Sequence, residues 1–163
     1  MTHFELFNLP ITLNVDTSGL SKKYFELQRK YHPDRFGQAS DAEQEEALQV
    51  SAQVNKAFKT LKDPDETIKY VLQLKGLLEE EEKYQLSPDF LMEVMELNEE
   101  LESGMTDAIQ AKIDQLKNEL YATVETIITN YQEGISTEKE LLQVKEYYFK
   151  KKYLDRMVDN LEF

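Results

Sequence analysis

Apolar residues recur at helical spacing along most of the chain. Leu20, Tyr24, Leu27 and Tyr31 fall at i, i+4, i+7 and i+11, one face of a helix. Asp16, Thr17 and Ser18 offer N-cap side chains before it, and Pro33 ends it, because the residue before a proline is pushed out of the helical region. Ahead of this helix, Thr2–Leu9 reads as a short helix ended by Pro10. His32 to Ser40 reads as a loop. Asp41 is the expected cap of the next helix, with Gln44 as its capping-box partner. Ala47, Ser51, Val54, Phe58 and Leu61 share one face of that helix, and its small residues admit the preceding helix closely. Asp63-Pro64 marks a turn, and Ile68–Leu74 is an amphipathic segment leading to Gly76.

The stretch Gly76–Ser87, with Glu79-Glu80-Glu81-Glu82, reads as a connection. Ser87 and Pro88 then form an N-cap and first-turn proline, opening a helix that stops near Ser103-Gly104. Ile109, Ile113, Leu116, Leu120, Val124, Ile127 and Tyr131 make one stripe of an expected long helix ended by Gly134. A last helix is expected from about Ser136 to Leu161. Three helices with short joints predict an antiparallel bundle. The expected fold is therefore all-α, an N-terminal module around a helical hairpin plus a C-terminal three-helix bundle.

Composition agrees with helix. Hydrophobic residues make up 40% of 163, with only 5 Gly and 4 Pro. The absence of cysteine rules out disulfides, thiolate metal sites and cysteine nucleophiles. No run of about 18 apolar residues is present to span a membrane. MTHFELFNLP lacks the basic and apolar stretches of a signal peptide, so the expected location is cytoplasmic. The net charge of −13 argues against nucleic acid as main partner. That charge is uneven: residues 1–75 hold 10 Lys+Arg against 11 Asp+Glu, and residues 76–163 hold 9 against 21. The break predicts two modules, 1–75 and 88–163, joined by 76–87.

Between the first two long helices sits Tyr31-His32-Pro33-Asp34. A metal reading of His32 lacks ligands, since His3 is the only other imidazole and no acidic calcium loop occurs. A general-base reading lacks a Gly-rich phosphate loop or a nucleophile motif beside it. Lys22 and Arg29 lie roughly 180–200° from Leu20 at about 100° per residue, away from the core and beside a loop carrying Asp34 and Arg35. By itself this is an ordinary solvated charged face.

The loop and its flanks resemble the J-domain family. The resemblance rests on His32-Pro33-Asp34, on Leu6–Pro10, on Leu20–Tyr31, and on Val54–Pro64 through Asn55-Lys56-Ala57-Phe58 and Leu61-Lys62-Asp63. It implies that His32, Pro33, Asp34, Lys22, Arg29 and Arg35 bind a DnaK-type ATPase chaperone. The basic helix would dock on an acidic surface while the loop promotes nucleotide hydrolysis there.

On the helix Pro88–Leu101, Phe90, Val94, Leu97 and Leu101 fall within about 60° of one another and form the buried stripe. Leu91, Met92 and Met95 lie about 100–200° from Phe90, among Glu96 and Glu99. Unless the first module covers this face, it is an exposed apolar patch with acidic neighbours, suited to binding a protein. The stretch Phe90–Leu101 is similar to the C-terminal segment of the HscB family, which joins a J-domain to a three-helix bundle. That resemblance covers essentially the whole chain. It implies that Leu91, Met92, Met95, Glu96, Glu99 and Tyr153 bind an iron–sulfur scaffold protein (IscU-like), with an HscA-like chaperone as the ATPase. Ser103 replaces one acidic position of that surface and is not included. The Gly/Phe-rich and cysteine-rich regions of general J-proteins are absent, as is the N-terminal cysteine cluster of some eukaryotic relatives, which points to a bacterial type. No cofactor, metal or catalytic residue is expected. The competing readings are a J-domain protein with another client and, further off, an enzyme using His32.

Overall fold

Helices alone make up the regular structure of the computed structural model, which describes residues 1–160. In order they are α1 (His3–Leu6), α2 (Thr17–Tyr31), a 3-10 turn (Pro33–Phe36), α3 (Asp41–Leu61), α4 (Pro64–Leu74), α5 (Pro88–Leu101), α6 (Asp107–Ala122), α7 (Glu125–Asn130) and α8 (Glu138–Asp159). The chain divides into two units, Met1–Val71 and Leu72–Phe163, and the division falls inside α4.

The first unit is built on the α2/α3 hairpin. Tyr24 stacks on Phe58 at 4.1 Å between ring centroids, and Gln28, one turn on, pairs with residues earlier in α3. That descending order makes the two helices antiparallel. A polar chain fixes their register. The Tyr24 hydroxyl and the Gln28 amide both donate to Asn55 Oδ1, at 2.7 and 2.8 Å, and Ser51 Oγ donates to Gln28 Oε1 at 3.1 Å. Leu20, Ala47, Val54, Ala57 and Leu61 are buried along the seam, with Phe4 and Phe7 from the N-terminal segment. Ala57 takes a core position, while Phe58, expected on the buried face, is half-buried against Tyr24.

Local chemistry moves several helix ends from where the pattern put them. The first helix stops at Leu6, not Leu9. Asn8 adopts φ 54°, and the Leu9 and Asn8 N–H groups donate to the Phe4 and Glu5 carbonyls at 2.8 and 3.0 Å. This pairing closes a helix with a left-handed residue, a conformation asparagine tolerates. The cap of α3 is Ser40, whose hydroxyl accepts from the Glu43 N–H at 3.2 Å; Asp41 is the first helical residue. Gln44 consequently makes no capping box and donates instead to the Gly37 and Ala39 carbonyls. The last helix begins at Glu138 with a full capping box between Thr137 and Glu140. Its expected end at Leu161 lies outside the described residues.

His3 carries a pH-dependent term. Its ring stacks on Tyr70 at 4.2 Å and its backbone N–H donates to the Tyr70 hydroxyl. Burial, and then the nearby Lys56 charge, hold its pKa below 6.5. The unfolded chain therefore takes up a proton that the folded chain resists. This stabilising term is complete above the unfolded value of 6.5 and is lost as pH falls from there toward the lower folded pKa. The thermal midpoint of His3→Gln should accordingly fall less than that of the unaltered protein between about pH 7.5 and pH 5.5. Parallel declines would show that His3 does not contribute.

In the second unit Phe90, Val94, Leu97 and Leu101 of α5 pack on Ile109, Ile113 and Leu116 of α6 and on Leu154 and Met157 of α8. The single long helix expected over 109–131 is two helices. Thr123 and Val124 make N–H bonds three residues back, to Leu120 and Tyr121, and Thr123 Oγ1 also donates to the Leu120 carbonyl at 2.7 Å. Val124 leaves the helical region at φ −123°, ψ −2°. The break rotates the stripe by about one residue, so Ile128 is buried and Ile127 half-buried. Residues 75–87 lie along this unit. Lys75 pairs with Glu133, Leu78 is buried, Lys145 holds Glu82 at 2.8 Å, and Tyr84 stacks on Phe149 at 4.6 Å.

Candidate functional site

The C-terminal end of α2 is where the first unit gathers its chemistry. Pro33 forces His32 to ψ 132°, and α2 stops at Tyr31. The next four residues then wind into a 3-10 turn capped by His32 itself: Nδ1 accepts from the Asp34 N–H at 3.2 Å. The Asp34 carboxylate lies 3.6 Å from Nδ1 and is almost wholly in solvent. Arg35 closes the turn. Its backbone N–H donates to the His32 carbonyl at 3.0 Å, and its guanidinium donates to the Arg29 carbonyl at 2.7 Å, satisfying an open end of α2. His32, Pro33, Asp34 and Arg35 are thus one hydrogen-bonded turn fastened to the helix.

Arg29, His32 and Arg35 line a groove of about 730 Å³ together with Phe25 and Gln28. Lys22 is exposed on the same side of α2 but seven residues before Arg29, about 10 Å along the axis, and does not line the groove. Lys23 has a different task, donating to the Phe7 and Asn8 carbonyls at the end of α1. Phe25 and Gln28 were not singled out in the sequence. Phe25 lies about 140° from Leu20, an angle that removes it from the core face.

The second unit carries the other candidate surface on α5. Leu91, Met92 and Met95 are 38%, 67% and 58% exposed. Glu96 and Glu99 are also exposed. Tyr153 of α8 is half-buried, its ring edge-on to Phe90 at 6.0 Å. Beside it runs a groove of about 420 Å³ lined by Asn98, Leu101, Glu102, Tyr153, Arg156 and Met157 among others. Asn98 and Glu102 lie about 80° and 120° from Phe90, on the side of α5 that also holds Leu91 and Met95. Leu91, Met95 and Tyr153 therefore share one side, and Met92 and Glu99 form the crest. Glu96 turns the other way, into a recess against α6 with Glu93, Glu100 and Lys112. Asn98, Glu102 and Arg156 were not marked by the sequence, because the groove needs α5 and α8 side by side. Among the described residues no group of His, Asp and Glu is arranged to hold a metal. No described helix is long and apolar enough to cross a membrane.

Comparison with known proteins bears on both units. Residues 2–70 match the family model of the DnaJ domain, and residues 86–162 match that of the HSCB C-terminal oligomerisation domain. A co-chaperone protein HscB homolog of Vibrio cholerae is 47% identical over 104 residues, which span 63% of this chain and 61% of that protein's own length. A co-chaperone protein HscB homolog of Shewanella halifaxensis is 36% identical over 165 residues, covering 99% of this chain and 95% of its own. The solved structure of chaperone HscB from Vibrio cholerae superposes with a TM-score of 0.81 at 34% identity, covering 99% of this chain and 96% of that one.

Proposed function

This chain belongs to the HscB family of co-chaperones, and on that premise we propose that it is a non-enzymatic cytoplasmic adaptor of iron–sulfur protein maturation. Residues 1–75 act as the J-domain, 76–87 as connection and 88–163 as the client-binding bundle. The J-domain stimulates ATP hydrolysis by a specialised DnaK-type chaperone (HscA-like) through His32, Pro33 and Asp34, with Lys22, Arg29 and Arg35 steering the encounter. The bundle holds an iron–sulfur scaffold protein (IscU-like) through Leu91, Met92, Met95, Glu96, Glu99 and Tyr153.

The observation that carries this reading is the hydrogen-bonded turn at His32–Arg35, presented at the end of a helix whose outer face is basic, in a chain that is acidic overall. The Asp34 carboxylate is almost wholly in solvent and the His32 ring about half so, which leaves both open to a partner. Charge complementarity brings the surfaces together and sets their orientation. One molecule that holds both partners raises the local concentration of scaffold at the chaperone's peptide site without needing a tight contact at either end. Hydrolysis then locks the chaperone onto its client.

The test uses purified chaperone and scaffold. The unaltered chain should raise the chaperone's hydrolysis rate and bind scaffold independently of it. Reversing Lys22 and Arg29 to Glu should weaken chaperone docking by at least about tenfold, roughly 1.4 kcal/mol. Wild-type docking should itself weaken as salt rises. Scaffold affinity should stay unchanged. Docking that resists both charge reversal and salt would defeat the electrostatic account, and failure of the unaltered chain to stimulate hydrolysis would defeat the function.

A further inference from the structure

We propose that Phe25 is the apolar anchor of the chaperone-docking face, seating in an apolar recess rimmed by acidic side chains on the ATPase partner. The inference rests on the function proposed above and adds to it a residue that sets register and affinity.

Phe25 is 61% exposed, on the side of α2 away from the buried Leu20. Its ring meets only the edge of Tyr24 in the stacking pattern of this helix, at 5.6 Å and 65°. It lies within about 60° of Lys22 and Arg29 around the helix, so the three share one outward strip. The strip runs on into the groove that Phe25 lines with Gln28, Arg29, His32 and Arg35. The apolar ring is therefore continuous with the His32 turn and not an isolated surface residue.

The composition of the strip names its occupant. α2 holds four cations and one acid. Lys23 is engaged by the end of α1, and Lys30 lies over the Tyr31 ring at 5.3 Å. Lys22, Arg29 and the solvent side of Arg35 remain to face a partner. A cationic rim around one aromatic side chain is complementary to an acidic surface with an apolar hollow. Charge alone is long-ranged and tolerant of sliding, so it speeds encounter better than it fixes register. A ring entering a pocket gains only when aligned and excludes water from the charged contacts around it, which is why aromatic and Arg residues dominate interface energetics. The Gln28–Asn55–Ser51 chain holds this part of α2 against α3, so the anchor is presented with little ordering cost.

The test titrates chaperone hydrolysis with the unaltered chain, Phe25→Ala, Phe25→Leu and His32→Gln, with circular dichroism as a check on helix content. Phe25→Ala should raise the half-maximal concentration at least about tenfold, about 1.4 kcal/mol, while the rate at saturation is kept. Phe25→Leu, which retains an apolar knob, should recover most of the loss and serves as the reading should the Ala variant fold poorly. A half-maximal concentration for Phe25→Ala within twofold of the unaltered chain overturns the proposal. So does sedimentation showing that Phe25→Ala dissociates a self-associated form with stimulation unaffected, since the occupant would then be a second copy of this chain. Full stimulation by His32→Gln is a different failure, because it removes the chaperone-activating function itself.

Discussion

His32→Gln is expected to abolish stimulation of chaperone ATP hydrolysis while leaving the helical fold standing. The His32 side chain is about half in solvent, and its one hydrogen bond, from the Asp34 N–H, is made in an exposed turn. A substitution of that kind changes stability by about 0.5 kcal/mol or less. The loss is therefore in what the turn offers a partner. The ring caps the turn by accepting the Asp34 N–H, while the Asp34 carboxylate stays in solvent. Gln is longer and flexible and lacks the ring, so it presents a different surface at this position. Single-turnover hydrolysis at saturating co-chaperone, with thermal melting of the same variant, checks the expectation. Undiminished hydrolysis with an intact fold would remove the turn from the mechanism and with it the assignment of His32, Pro33 and Asp34.

Features that depend on residues near one another in the chain were legible before the structure. The stop of α2 at Tyr31 follows from Pro33, and the start of α5 follows from Ser87 and Pro88. The Phe90, Val94, Leu97, Leu101 stripe followed from angle alone, and all four residues are buried. Errors arose where two neighbours can do the same chemistry. Ser40 and Asp41 both supply a capping oxygen, and only the observed bond to the Glu43 N–H distinguishes them. The break at Thr123–Val124 was hidden because the apolar stripe continues through it; the interruption lies in how three-residue hydrogen bonds replace four-residue ones.

Other features have no local signature. Tyr84 and Phe149 are 65 residues apart, and nothing near either announces their stacking. The groove beside Tyr153 exists only because α8 brings Arg156 and Met157 up to Asn98 and Glu102. Phe25 is intermediate. Its angle on α2 was available from the sequence, but a helix angle says only that a side chain points away from one neighbour, not whether another element covers it. The ring is left exposed once α3 has packed on the other side of α2.

The same distinction governs the largest expected effect in the second unit. Truncating Leu91, Met92 and Met95 together to Ala should cost scaffold affinity at least about tenfold, equivalent to roughly 1.4 kcal/mol. At roughly 25 cal/mol per Å² of apolar area buried, three such side chains could contribute several kcal/mol at an interface before ordering costs are subtracted. The free protein should lose little, because all three are exposed and lie off the buried stripe. Leu97→Ala supplies the contrast. Leu97 is part of the core with Ile113 and Leu154, and its truncation should lower stability by about 2–5 kcal/mol. Its effect on scaffold binding should be small under conditions where the fold survives. Two measurements on the two variants, thermal or denaturant unfolding and a titration with scaffold, should therefore move in opposite patterns. If the triple variant instead melts early and binds scaffold as before, Leu91, Met92 and Met95 are packing residues, and the scaffold contact must be sought in the Tyr153 groove and its Arg156 and Glu102 rim.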